Sequence, residues 1–327
     1  MSTTIHVVGG TTFDLLAVGL SALPRNDAGV DEFTESSLAH LPQPFVPTVG
    51  GNGGNIAFTA SRLGAKVVLV TPLGDDLFAQ WLRGELAGAG VEVREVSPDE
   101  TSVNVVATDQ AGRRLSLFRP VTPSTEKLLE VARHHWMAPG DMLVMAGYPH
   151  PAPTALRAWA EAASEAGARV ALDIGPPTAH LRRDQLRGVL PFVDLLLANE
   201  VELGGLVDAG EPQLREITEQ LVADFGLAVV VKRGGRGAVH VDASEVLEVP
   251  AFEVAPGSTV GAGDAFDAGL VHAVTQDLPA RRAVAFGAAT AALVLDRGRG
   301  VLGAPVAAEV HQFLASNPEP DEGASHG

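Results

Sequence analysis

Ser258-Thr259-Val260-Gly261-Ala262-Gly263-Asp264-Ala265-Phe266-Asp267-Ala268-Gly269 is the stretch on which the reading of this chain turns. It follows a strand-and-turn region and runs into the Ala-rich, helix-patterned residues Asp267 to Val274, so it reads as a turn that opens a helix. Gly261 and Gly263 leave no side chain between an approaching anion and the peptide N–H groups. The helix N-terminus adds about half a positive charge, so a phosphate can sit there. Asp264 falls in the first turn, where the dipole and nearby donors favour its ionised form. It is either a base available at neutral pH or an acid that only interacts with the dipole. Phosphoryl transfer asks for little more than such a base, a cradle for spread negative charge and an acceptor hydroxyl held in line.

Outward from this segment, short β-rich runs alternate with longer helical patterns. The runs are Ile5 to Val8, Lys66 to Val70, Met142 to Ala146, Arg169 to Asp173, Val193 to Ala198 and Ala228 to Lys232. Between them Ile56 to Leu63, Leu77 to Ala87, Pro153 to Ala166 and Gln213 to Phe225 repeat apolar residues near three and four. The alternation predicts βαβ units around a mostly parallel sheet. Leu15 to Thr48 and Thr101 to Arg119 break the rhythm, and the second reads as a hairpin turning at Asp109-Gln110-Ala111-Gly112. Together they predict a small sheet that covers one edge of the main domain.

Val49-Gly50-Gly51-Asn52-Gly53-Gly54-Asn55 also enters a helix. Its glycines let backbone approach a ligand, and Asn52 and Asn55 carry donors and acceptors suited to vicinal hydroxyls. Asp14 follows the first strand and the turn Gly9-Gly10. Ligands of open parallel sheets bind beyond the C-terminal strand ends, so Asp14 can share a crevice with Asn52 and Asn55 as a polyol clamp, or serve as an N-cap. Asn199-Glu200-Val201-Glu202 follows an apolar strand and reads as a solvated helix start or as carboxylates that hold magnesium through water. Gly298-Arg299-Gly300-Val301-Leu302-Gly303 has dinucleotide-binding spacing but follows a helix and lacks a βαβ continuation, and no P-loop sequence occurs. His134-His135 cannot both reach one ion from a regular helix.

With 327 residues, 46% of them hydrophobic, the chain can bury a large core. No apolar run approaches the roughly 20 residues that cross a bilayer, so a membrane partner is not expected. The start lacks a secretory pattern and there is no cysteine, which fits a cytoplasmic enzyme. A formal charge of −17 repels polyphosphate backbones, so nucleic acid is not an expected partner.

The order of these pieces resembles the ribokinase-like, or PfkB, family of carbohydrate kinases from about Ile5 to Phe313, through Gly50-Gly51-Asn52-Gly53-Gly54-Asn55 and Ser258 to Asp264. The resemblance implies a three-layer α/β/α sandwich with a mostly parallel central sheet and a small β lid. It implies one kinase domain over residues 1–315, lid segments at about 15–48 and 101–119, and a disordered tail over 316–327. It carries the base role onto Asp264 and the anion hole onto Gly261, Ala262 and Gly263. Asp14, Gly50, Gly51, Asn52 and Asn55 fall in the sugar-binding regions. Asn199 and Glu202 match the Asn-x-x-Glu motif for magnesium and phosphate, and Lys232, Gly234, Gly237 and Thr259 fall on the nucleotide side. Ala289 to Gly303 would border the adenine. ATP and Mg2+ are the implied cofactors.

Ser258 stands where the family usually has an Asp that helps hold a monovalent cation, which leaves that cation in question. The expected reaction is ATP-dependent phosphorylation of a hydroxyl, an exocyclic CH2OH, on a small sugar. An unphosphorylated sugar is favoured because no Lys or Arg cluster marks the pocket, although Arg113, Arg114 and Arg119 sit near it. The alternatives are a nucleoside kinase, with Phe33, Phe45 or Phe118 stacking on a base, or a non-catalytic sensor. Lid strands in this family often pair between subunits, so a homodimer through the lid is a further expectation.

Overall fold

The first strand shows how the layers form. In β1 (Thr4–Val8), Ile5 and Val7 pack with Val67, Leu69 and Leu197, while Val8 packs on the opposite face with Val70, Leu143 and Met145. A strand that is apolar on both faces belongs inside a sheet covered by helices on each side. The structure, a computed structural model, describes residues 3–20, 43–96, 100–110, 113–121, 124–147, 152–175, 186–205, 211–254 and 260–317, without the side chains of 205 and 211–213.

The remaining strands are β2 (Thr12–Leu20), β3 (Val46–Gly50), β4 (Lys66–Thr71), β5 (Glu92–Glu95), β6 (Ser102–Asp109), β7 (Arg114–Arg119), β8 (Met142–Met145), β9 (Arg169–Asp173), β10 (Leu195–Asn199), β11 (Ala228–Lys232), β12 (Ala238–Val241) and β13 (Val246–Val249). Eight of them join β1 in the main sheet, in the order β13-β12-β11-β10-β9-β8-β1-β4-β5. It is parallel from β11 to β5, and β12 and β13 add an antiparallel edge.

One face is covered by α1 (Asn52–Arg62), α2 (Leu77–Ala89), α7 (Ala262–Thr275), α8 (Ala280–Arg297) and α9 (Ala307–Ser316). The other carries α3 (Thr125–His134), α4 (Pro153–Glu165), α5 (Glu200–Gly205) and α6 (Glu211–Phe225). This is the three-layer architecture expected. Among the described residues no helix is long and apolar enough to cross a membrane.

The lid is a second sheet in the order β3-β2-β6-β7. Its register sets Asp14 against Thr48 and Asn104, and Asn104 against Phe118, so these polar residues and Phe118 share one face. The next row, Leu16 and Val106, packs on Val260 below. Leu115 and Leu117 point the other way and are exposed.

One local reading changes. Asp14 is not an N-cap but the third residue of the lid strand β2, because the chain turns at Gly9-Gly10 and resumes an extended, alternating pattern at Thr12. Asn52 to Asn55 form the first helical turn of α1, entered through Gly51 at φ 74°. The antiparallel edge β12-β13 and helix α3 have no counterpart in the sequence reading. His134 is exposed, whereas His135 is buried against His6, Nε2 to Nδ1 at 2.8 Å. The tail from 318, most of the first lid segment, Phe33, Ser258 and Thr259 lie outside the described residues.

Candidate active site

Three neighbouring parallel strands end in polar residues. Asp173 closes β9, Asn199 closes β10 and Lys232 closes β11, with Leu197 opposite Asp173 and Asn199 opposite Lys232 in register. Above this row stands the N-terminus of α7. Gly261 is its N-cap at φ 78°, a left-handed conformation that an L side chain resists, and a Cβ there would stand 3.0 Å from Val301 Cγ1. No side chain caps the helix, so the N–H groups of Ala262, Gly263 and Asp264 have no intrahelical partner. A Cβ on Gly263 would meet nothing nearer than Lys232 Nζ at 4.0 Å. The cradle is open toward the cleft.

Asp264 Oδ2 accepts a 2.7 Å hydrogen bond from Asn55 Nδ2. Its other oxygen has no hydrogen bond among the described residues. Burial, with the nearby Asp173 carboxylate, pushes Asp264 up to about 6, against the opposing pull of the Asn55 bond, Lys232 and Arg114. The helix dipole therefore does not keep this acid in the usual range, as the sequence suggests it should. It is still ionised at neutral pH and is a stronger base than an exposed aspartate.

Lys232 Nζ lies 2.5 Å from Asp267 Oδ2 and 3.6 Å from Asp173 Oδ1. Burial alone would lower this ammonium, but Asp173, Asp267 and Glu202 hold it well above its ordinary range. Asn52 Nδ2 donates to Asp173 Oδ2 at 3.0 Å. Asn199 and Glu202 bond reciprocally: Glu202 Oε2 accepts from Asn199 N–H at 2.7 Å, and Asn199 Oδ1 accepts from Glu202 N–H at 2.9 Å. That pair caps α5 and leaves Glu202 Oε1 free of the cap. Burial and Asp173 raise Glu202 to about 6, with Lys232 opposing.

Across a cleft of about 400 Å3, the lid supplies Asp14, Asn104, Arg114, Ser116 and Phe118. Asp14 is 4% exposed and is raised to about 7, chiefly by burial and further by Asp264, while Arg114 and a bond to Asn104 oppose. Asp14 Oδ1 and Asn104 Oδ1 are buried without a hydrogen-bond partner, which native structures seldom leave uncompensated. Both belong to a site that expects polar ligand atoms. Gly50 is glycine because a Cβ there would lie 2.2 Å from Asp14 Cγ. Of the described lid arginines, Arg113 pairs with Asp109 and Arg119 with Glu100, whereas Arg114 faces the cleft and donates through Nε to Ser116 Oγ at 3.0 Å.

The structure thus gathers Asp14, Gly51, Asn52, Asn55, Glu202, Gly261, Gly263 and Asp264 around one cleft, with Lys232 beneath it. Gly234 and Gly237 do not line it. Gly237 has its own packing reason, since a Cβ would stand 2.0 Å from the Val249 carbonyl oxygen. Arg233 and Arg236 pair with Glu200, and Arg233 also with Glu248. The sequence reading assigned no role to Asp173, Asn104 or Asp267. Asp173 ends a predicted strand and Asp267 lies one turn beyond Asp264, so both signals were present; Asn104 needed the lid register.

Comparison with known proteins bears on the family and the fold. A ribokinase of Haemophilus influenzae is 25% identical over 300 residues, covering 87% of this chain and 93% of its own. A 1-phosphofructokinase of Rhodobacter capsulatus is 32% identical over 292 residues, covering 84% and 89%. The structure of Arabidopsis thaliana ribokinase complexed with ribose and ATP superposes with a TM-score of 0.75 at 23% identity, covering 96% of this chain and 99% of that one. The pfkB family carbohydrate kinase pattern matches residues 15–305. Together with the helix-start cradle, the paired Asn55 and Asp264 and the lid, this makes the chain a member of the PfkB family of carbohydrate kinases, phosphotransferases that act on hydroxyl groups.

Proposed function

We propose that this sugar kinase transfers the γ-phosphoryl group of ATP to a hydroxyl, an exocyclic CH2OH, of a small sugar, with Asp264 as general base. One observation carries the reading: an Asp264 oxygen with no hydrogen bond among the described residues and the uncapped amides of one helix start open into the same cleft as the orphaned oxygens of Asp14 and Asn104. The sugar hydroxyl gives its proton to Asp264 as its oxygen bonds to the γ-phosphorus. The bond from that phosphorus to the bridging oxygen breaks, and the electron pair leaves on ADP. The amides around Gly261, Ala262 and Gly263 stabilise the charge that develops on the equatorial oxygens. Asp14, Asn104, Asn52 and Asn55 orient the sugar.

Kinases of this family use ATP and Mg2+ in general. Asp173, Glu202, Asp264 and Asp267 stand around a single ammonium, so the surplus negative charge fits a divalent cation among the phosphates. Asn199 and Glu202 would hold Mg2+ through water, and the ion when bound neutralises phosphate charge. Lys232 serves the nucleotide phosphates, and Gly234, Gly237 and Thr259 belong to the nucleotide side of the reading. The exposed Leu115 and Leu117 favour pairing of two lids in a homodimer.

A second reading has its own support. Arg114 makes no ion pair among the described residues and lines the acceptor cleft, which favours a sugar that carries a carboxylate or phosphate. The name of the Rhodobacter capsulatus relative points the same way.

A coupled ATP-consumption assay over neutral sugars, sugar acids, phosphosugars and nucleosides tests the proposal. Asp264→Asn is expected to lower kcat by about 10²- to 10⁴-fold while sugar affinity stays within a few fold. An Asn variant that turns over normally sinks the assigned base. Turnover with nucleosides alone would transfer the reading to Phe118 and a base.

A further inference from the structure

Asp267 contributes only its charge to the mechanism above, yet it is 0% exposed, and acids are almost never fully buried unless paired. It lies on α7, one turn past Asp264, with Oδ2 at 2.5 Å from Lys232 Nζ and Oδ1 without a partner. Asp173, Asp264 and Asp267 each place a carboxylate oxygen within 4.8 Å of the others. Three carboxylates so close repel one another and cannot all stay ionised without a positive charge among them. That charge is already built in. The Lys232 ammonium touches Asp267, lies 3.6 Å from Asp173 and stands 4.0 Å from where a Gly263 side chain would begin.

A lysine head on a four-carbon stem is mobile unless something fixes it. Here the fixing group comes from the same helix whose first turn forms the phosphate cradle, so the ammonium and the amides move as one body. We propose that Asp267 is a positioning residue that acts through Lys232, pinning its ammonium beneath the Gly261–Gly263 amides where the transferred phosphate arrives. The inference rests on the kinase reading above and adds to it a residue outside the Gly261–Asp264 segment. Asn52 does the corresponding work on the other side by holding Asp173.

The test uses the full chain and four forms: wild type, Asp267→Asn, Lys232→Met and the double variant, each measured for kcat, KM for ATP, KM for the sugar and Tm. Asp267→Asn is expected to lose roughly 10- to 100-fold in kcat/KM for ATP, with the sugar KM within about threefold. The double variant is expected to be as slow as Lys232→Met, since Asp267 has nothing left to act through. Its Tm should recover toward wild type, because a neutral pair replaces an unpaired buried charge. Recovery of Tm without recovery of turnover is the signature that a purely structural ion pair would not give.

Wild-type kinetics in Asp267→Asn overturn the inference, as does a double variant that regains activity along with Tm, or one clearly slower than Lys232→Met. If Asp267→Asn does not fold, the comparison of Lys232→Met with the double variant decides by the same criterion. A wild-type protein that phosphorylates nothing in the panel overturns the kinase reading and this inference with it. An active wild type matched by Asp267→Asn overturns this inference alone.

Discussion

Two helices in this molecule start in the same way and end up doing different work. Both α1 and α7 follow a glycine at positive φ, 74° at Gly51 and 78° at Gly261, and neither has a side-chain cap. The first helical bond is the same in both, Asn55 N–H to Gly51 and Ala265 N–H to Gly261 at 2.9 Å each, but at α1 the Gly54 N–H is also taken, by the Gly10 carbonyl at 3.1 Å. Its glycines are packing devices, since a Cβ on Gly53 would stand 2.6 Å from the Gly9 carbonyl carbon. At α7 the first-turn amides face the cleft and Gly263 is exposed. A packed start fixes the side chains Asn52 and Asn55 in place, whereas an open start leaves its backbone for a ligand.

The contrast can be broken by adding one methyl group at each site. Gly53→Ala should drive side chain into backbone and cost about 1–3 kcal/mol, read as a lower Tm or loss of folded protein. Gly263→Ala should keep or slightly raise Tm, because alanine is favoured over glycine in a helix by about 0.5–1 kcal/mol. Its kcat/KM for ATP should nevertheless fall by about tenfold as the methyl crowds the cradle. Equal loss of Tm in the two variants would erase the distinction.

A smaller effect sharpens it through pH. In the proposed reaction Asp264 acts in its ionised form, and it is raised to about 6, so kcat should fall as pH drops through 6. Stability moves the other way at this group. A carboxyl whose folded value exceeds its unfolded one binds more protons when folded, so its contribution weakens as pH rises from about 4 to 6. The Tm advantage of Asp264→Asn over wild type should therefore grow across that window, measured by thermal melts at matched salt.

Much of this was legible without coordinates, for identifiable reasons. The six parallel strands read from the sequence all occur in the main sheet, because runs such as Leu195 to Ala198 are apolar on both faces. The strands β12 and β13 were not legible, since Ala238–Val241 and Val246–Val249 are only four residues each and are interrupted by His240 and Glu248. The glycine-rich helix starts were visible, but their difference was not: whether an amide is used depends on Gly10, which lies 44 residues from Gly54 along the chain. Asp14 could be placed near the crevice, yet only the pairing of β2 with β6 shows that it arrives on the lid beside Asn104. Asp267 escaped because its meaning depends on Lys232, the last residue of a strand 35 positions earlier.

The bond from Asn55 to Asp264 has one more consequence. It occupies Oδ2, so in the proposed reaction a single carboxylate oxygen would serve the acceptor, and a polyol with several equivalent-looking hydroxyls would present only one of them along the reactive line. In the proposed reaction the regiochemistry of the product would then depend on an amide that never touches phosphorus. Freeing that oxygen, as in Asn55→Ala, should yield a mixture of phosphate positional isomers visible by 31P resonance.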